Sequence, residues 1–163
     1  MDFQVLDIIE GTSVDGPGLR VSIYLAGCKH HCEGCHNPQS WNFDNGKTMT
    51  DVEILDIIKF NEMNVTLTGG DPLYNPDKIK YLCHRIKEET GANIWCYTGF
   101  TWEEICADVK LLEAIKDIDT IVEGRFMIDK RDKSLRFRGS SNQRIINVPK
   151  SLEEQSIILA NLI

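Results

Sequence analysis

Three cysteines fall within eight residues in the run Cys28-Lys29-His30-His31-Cys32-Glu33-Gly34-Cys35-His36-Asn37. A loop that short can wrap all three thiols around one centre. Packing gives no reason to place three thiols beside glycine, histidines and charged side chains. Two kinds of centre fit. Zinc would take the three thiolates and an imidazole from His30, His31 or His36, a common tetrahedral set, although structural zinc sites draw on two separated ligand pairs and no second pair is visible. An electron-transfer iron–sulfur cluster takes four cysteines. Three leave one iron of a [4Fe-4S] cluster without a protein ligand, the open position a cluster needs to bind and reduce a substrate directly.

Other candidates read differently. Gly69-Gly70-Asp71 ends a short apolar run, yet the Gly-x4-Gly-Lys-Ser/Thr pattern of a phosphate cradle is absent. Cys83 lies on the apolar stripe of a helix and is expected in the core, with Cys106 packed similarly and Cys96 inside a buried strand. His84 is expected in solvent. His30 and His31, between the cysteines, are expected to be solvated or to orient the loop.

The elements that must position these residues follow from periodicity. Residues 2–20 read as irregular or edge-like, with a turn at Asp15-Gly16-Pro17-Gly18. Residues 20–25, 64–68, 93–98 and 120–122 read as strands, each followed by glycine. Thr50 with Glu53 has capping-box spacing and opens a helix. Ile79, Leu82, Cys83 and Ile86 give residues 77–90 a helical stripe, closed by Gly91. Thr101 caps a helix over 102–107, with a second over 110–116. Residues 135–138 and 144–148 are expected as short strands around a turn, and 151–162 as a last helix. The strand–helix alternation predicts an α/β fold of parallel strands, in which ligands bind beyond the strands' carboxyl ends. Those ends are Gly27-Cys28, Thr68-Gly69-Gly70, Thr98-Gly99 and Glu123-Gly124.

The chain has 163 residues, the size of one domain, 1–163, with 42% hydrophobic and 26% charged residues, which argues against disorder. Its formal charge of −7 disfavours nucleic-acid backbones. No apolar run is long enough for a membrane helix. Six cysteines without an export signal predict a reducing, cytoplasmic setting.

The Cys-x3-Cys-x2-Cys loop after a first strand resembles the signature of the radical S-adenosylmethionine (SAM) superfamily, and Thr68-Gly69-Gly70-Asp71-Pro72-Leu73 resembles its Gly-Gly-Glu motif, with aspartate for glutamate. Asp15-Gly16-Pro17-Gly18-Leu19-Arg20, Gly34-Cys35-His36-Asn37, Tyr97-Thr98-Gly99-Phe100 and Arg138-Gly139-Ser140-Ser141-Asn142-Gln143-Arg144 narrow the resemblance to the activating proteins of anaerobic ribonucleoside-triphosphate reductase, over residues 4–148. That resemblance implies an incomplete parallel (βα) barrel of radical-SAM type, too short to close into the eightfold form.

It also implies a [4Fe-4S] cluster on Cys28, Cys32 and Cys35, with SAM chelated to the fourth iron. Gly69, Gly70 and Asp71 would meet the methionyl amino group, and Arg125 its carboxylate, with Thr98 and Glu123 nearby. Gly34 stands where the superfamily often has an aromatic residue, leaving the adenine to backbone around Gly34, Cys35 and His36, or to the rings of His36 or Trp41. The implied partners are the reductase large subunit, which would carry a glycyl radical, and an electron donor such as flavodoxin. Phe126 and residues 136–143 would dock the large subunit. Two rivals stay open: a zinc-binding module without catalysis, and an activase of a formate-lyase-type enzyme.

Overall fold

Alternation along the strands decides which face of the sheet each residue meets. In the computed structural model, which describes residues 1–162, strands β1 (Asp2–Thr12), β2 (Arg20–Leu25), β3 (Lys47–Thr50), β4 (Asn64–Gly69), β5 (Ile94–Tyr97), β6 (Thr120–Glu123) and β7 (Arg144–Asn147) form one sheet in the order β3-β1-β2-β4-β5-β6-β7. Val21, Ile23, Leu25, Val65, Leu67, Ile94, Cys96, Ile121 and Ile146 share one face and one apolar core. Helices α1 (Asp51–Asn61), α2 (Pro76–Thr90), α3 (Trp102–Ala107) and α4 (Val109–Ala114) cover that same face. The intervening residues look the other way. There Trp95, Val122 and Ile145 form a smaller cluster against Tyr97, Phe137, Ala160 and Leu162.

Local chemistry starts the helices where the sequence predicts. Thr50 Oγ1 accepts the Glu53 N–H at 3.2 Å, and the Glu53 carboxylate accepts the Thr50 N–H at 2.8 Å. Thr101 and Glu104 repeat this capping box on α3. Each such cap is worth about 1 kcal/mol. Gly91 ends α2 at φ 67°, a left-handed conformation that costs glycine nothing.

The α/β expectation holds, but the sheet is mixed. Only β2, β4, β5 and β6 are parallel. The strands β1, β3 and β7 pair antiparallel. The expectation of an all-parallel sheet is corrected accordingly. Residues 2–12 are a long strand inside the sheet, where irregular or edge-like structure was expected. Only Phe3 and Val5 are buried there, so alternation fades over its second half. Residues 135–138 are not a strand, since Phe137 takes a left-handed φ of 61°. The last helix, α5 (Val148–Glu154), begins and ends earlier than expected and stops at Gln155, φ 53°. Ile163, the end of the expected 1–163 domain, lies outside the described residues.

Candidate functional site

The cysteine loop leaves the carboxyl end of β2 through Gly27, φ 110°. Its base is closed by a short 3-10 turn, Pro38–Trp41: Gly27 N–H donates to the Ser40 carbonyl at 2.7 Å and Cys28 N–H to that of Trp41 at 3.2 Å. Within the loop Cys35 N–H donates to the Cys32 carbonyl at 3.1 Å, and Gly34 turns the chain at φ 76°. The loop brings Cys28, Cys32 and Cys35 to the wall of one cavity of about 260 Å³. The rest of the wall is His30, His36 and Asn37 of the same loop, Thr68–Asp71 at the end of β4, Tyr97–Gly99 at the end of β5, Gly124 and Phe126 after β6, and Gly139 and Gln143. All four parallel strand ends singled out by the sequence therefore converge on it.

The thiols are unpaired and partly exposed. Burial pushes the Cys28 thiol up to about 11 and raises that of Cys32. Both keep their protons near neutrality, so a metal centre must displace them, and loading releases acid. Three soft sulfur donors on one cavity suit an iron–sulfur cluster. Among the described residues no group of three or more His, Cys, Asp or Glu is placed to hold a single metal ion. The imidazoles a tetrahedral zinc would need are engaged elsewhere. His31 stacks on Trp41 with ring centroids 4.4 Å apart, His36 tilts against Phe126 at 5.4 Å, and His30 faces Asp71 at 2.7 Å.

The glycines after β4 are required by the backbone. A Cβ at Gly69 would lie 2.3 Å from backbone atoms of Leu25, and one at Gly70 2.6 Å from the Gly27 carbonyl oxygen. They bring the β4 turn against the root of the cysteine loop, where Gly70 N–H donates to the Leu25 carbonyl and Asp71 N–H to that of Gly27. Asp71 is only 2% exposed. Its Oδ1 accepts the Leu73 N–H at 3.0 Å, and its Oδ2 accepts the Thr98 hydroxyl at 2.9 Å and the Gly99 N–H at 2.8 Å. Thr98 thus lines the cavity with its hydroxyl committed to Asp71.

Two expected neighbours of a SAM methionyl group, Glu123 and Arg125, have side chains engaged with protein partners. Glu123 shares the strand parity of Ile121, so its side chain points to the helix-covered face. It is 1% exposed, accepts the Trp102 N–H at 2.5 Å, and is paired with Arg144. It therefore buttresses the start of α3 and is absent from the cavity wall. Arg125 forms a bidentate pair with Glu104, which holds that carboxyl down at about 2. To meet a ligand carboxylate, Arg125 would have to leave this pair, although it also reaches the Gly99 carbonyl at 3.3 Å. Gly34 is packed under Ile128, whose Cδ1 would lie 2.5 Å from a Cβ there.

The run 138–144 does internal work. Gln143 Nε2 donates to the Gly124 carbonyl at 3.0 Å, while its Oε1 accepts the N–H groups of Gly139 and Ser140. Asn142 Nδ2 donates to the Arg125 carbonyl at 2.7 Å. These bonds seal the wall after β6. Gly99 and Gly124 stand on this wall as the strand-end reading expects, whereas Tyr97 and Gln143 are wall residues to which sequence reasoning gave no such role. Both lie in motifs already quoted, and that was the available signal.

The comparisons with known proteins agree with this construction. A family model described as a 4Fe-4S single cluster domain matches residues 14–146. The anaerobic ribonucleoside-triphosphate reductase-activating protein of Enterobacteria phage T4 is 41% identical over 139 residues, covering 81% of this chain and 86% of that protein. Its Escherichia coli K12 counterpart is 38% identical over 140 residues, covering 80% and 89%. That of Haemophilus influenzae is 34% identical, covering 81% and 90%. The α/β sheet with three thiols at its carboxyl edge is thus a 4Fe-4S single cluster domain. The chain belongs to the family of anaerobic ribonucleoside-triphosphate reductase-activating proteins.

Proposed function

We propose that this chain is a radical-SAM activase that cleaves SAM reductively at a [4Fe-4S] cluster and generates a glycyl radical on the large subunit of anaerobic ribonucleotide reductase. The observation that carries the reading is the convergence of Cys28, Cys32 and Cys35 on one cavity that the Thr68–Asp71 segment also lines. When bound, the cluster and SAM supply a one-electron cleavage of the sulfonium to methionine and a 5'-deoxyadenosyl radical, which takes a hydrogen atom from the partner's glycine. The protein orients the group and excludes competing reactions.

Cys28, Cys32 and Cys35 would hold the cluster, and Gly69, Gly70 and Thr98 on the same cavity wall would border the methionyl group. Backbone around Gly34 and Cys35, with the His36 ring on Phe126, would border the adenine. The helices lie on one face of the sheet, as they do outside a barrel, whereas a doubly wound sheet carries them on both. This supports reading the sheet as an incomplete barrel, with the cavity at its carboxyl edge. The chain acts as one domain, in the cytoplasm, with a flavodoxin-like protein as electron donor. No helix among the described residues is long and apolar enough to cross a membrane.

The test is anaerobic reconstitution with iron and sulfide, reduction, addition of SAM and assay of 5'-deoxyadenosine. Product is expected from the wild type and none from the Cys28→Ala, Cys32→Ala, Cys35→Ala triple variant. A glycyl-radical signal on added reductase large subunit identifies the partner. One zinc and no iron after strictly anaerobic purification overturns the reading.

A further inference from the structure

The buried side chains at the root of the cavity include one contact between two motifs that the sequence treats as separate. His30 belongs to the cysteine loop, and Asp71 to the turn after β4. Their side chains are 3% and 1% exposed, and His30 Nε2 lies 2.7 Å from Asp71 Oδ2. With Leu73, Thr98 and Gly99 also donating, the Asp71 carboxylate has four donors. Three of them fall on Oδ2 and one on Oδ1, so with about two lone-pair positions per oxygen the atom that faces His30 has none left.

A carboxylate can only accept, so Nε2 carries the ring hydrogen. Nδ1 lies 3.3 Å from the Tyr74 hydroxyl. Both ring nitrogens are then occupied within the protein. The ring is seated on Gly99, where a Cβ would stand 2.5 Å from His30 Cδ2. The cysteine loop, the β4 turn and the β5 turn therefore meet at this one hydrogen bond.

We propose that the His30–Asp71 hydrogen bond is a latch that sets the register of the cysteine loop against the Gly69–Asp71 turn, and that the Asp71 carboxylate serves this latch and not a ligand ammonium. Asp71 and His30 are positioning residues. The short aspartate arm is suited to the task, because the same carboxylate must also accept the N–H of Leu73 two residues on. A glutamate would carry the carboxylate one methylene further and lose that geometry. The second half of the proposal rests on the SAM reading above. The first half concerns the loop alone.

The experiment has two arms, each on the full chain. In the metal-free protein, amide hydrogen exchange of a peptide spanning 28–37 reads the latch. His30→Ala and Asp71→Glu are each expected to speed exchange about tenfold, because a buried donor or acceptor loses its partner. The double variant is expected to be no faster than either single one. His30→Gln, whose side-chain N–H reaches the same acceptor, restores protection. In the cluster-loaded protein, equilibrium dialysis compares SAM with an analogue lacking the methionyl amino group. His30→Ala and Asp71→Glu are expected to weaken both ligands by the same factor.

Unchanged exchange in His30→Ala overturns the latch. Full SAM affinity in Asp71→Glu, with His30→Gln no better than His30→Ala, assigns Asp71 to the ammonium instead and also overturns it. A loaded wild type that binds no SAM defeats the proposed function, while the exchange arm still decides the latch.

Discussion

On the helix-covered face Ile23, Leu67, Ile94 and Ile121 are wholly buried among aliphatic neighbours. On the other face the adjacent residues of the same strands are Ser22, Thr66, Trp95 and Val122, nearly as inaccessible but under a thinner and more polar cover. Thr66 Oγ1 donates to the Asp15 carbonyl at 2.6 Å, and Tyr24 bonds the Asp15 carboxylate, so the Asp15–Gly18 turn lies over this side. Ser22 Oγ and Trp95 Nε1 are buried there without a partner. An unsatisfied buried polar atom costs free energy that an aliphatic one does not. The same strands thus place most of their stabilising burial on one face and tolerate a polar expense on the other, next to the cavity. Stability and chemistry are separated by a period of two residues.

The comparison breaks if removing a thiol at the cavity unfolds the protein. Cys28→Ala, Cys32→Ala or Cys35→Ala alone is expected to reduce 5'-deoxyadenosine formation to background while leaving the urea midpoint of the metal-free chain nearly unchanged. The next largest effect lies on the covered face. Leu67→Ala is expected to cost about 3 kcal/mol in urea unfolding through the cavity it leaves. Thr66→Val, one residue away, loses one hydrogen bond and is expected to cost about 1 kcal/mol. Equal costs for the two would erase the asymmetry.

Arg144→Met sharpens the boundary between the faces. It leaves the buried Glu123 carboxylate without its cation, and the expected loss is about 2 kcal/mol, less than for a fully buried pair because Arg144 is about a third exposed. SAM cleavage per folded molecule should not change. A selective loss of cleavage would return Glu123 to the SAM site.

The smallest effect concerns Glu104. Arg125 lowers its carboxyl from 4.5 to about 2, so the pair stabilises the fold above pH 4.5 and that contribution disappears as pH falls towards 2. Glu104→Gln is expected to cost at most about 1 kcal/mol at pH 7, since the pair is exposed. Wild type and variant should converge near pH 2, as read by urea midpoints across the acid range.

The cysteine loop, the Thr50–Glu53 capping box, the Thr101 cap, the Gly91 stop and the four parallel strands were all legible, because each is written within a few consecutive residues. β1 was not. Its acids Asp2, Asp7 and Glu10 obscure the pattern, and its place between β2 and β3 comes from pairing across the chain. The strand expected at 135–138 had adequate composition, but Phe137 sits in a left-handed turn against Trp95. At the site, the thiols and the glycines of the β4 turn were visible as types at a spacing. The partners of Arg125 and Glu123 were not, since an arginine after a strand end reads the same whether it meets a ligand or Glu104.

By itself the sequence determined that three thiols share a loop, that this loop follows a strand, and that glycines admit the β4 turn beside it. These depend on chain connectivity and backbone sterics, which act between near neighbours. Only the tertiary structure decided that Asp71 faces His30, 41 residues earlier. It likewise turned Glu123 towards Arg144 and made Gln143 part of the cavity wall. Those pairings are chosen by desolvation and by the register of distant segments. A polar side chain takes whichever buried partner the assembled sheet brings within about 3 Å, and nothing in its local sequence distinguishes that partner from a ligand.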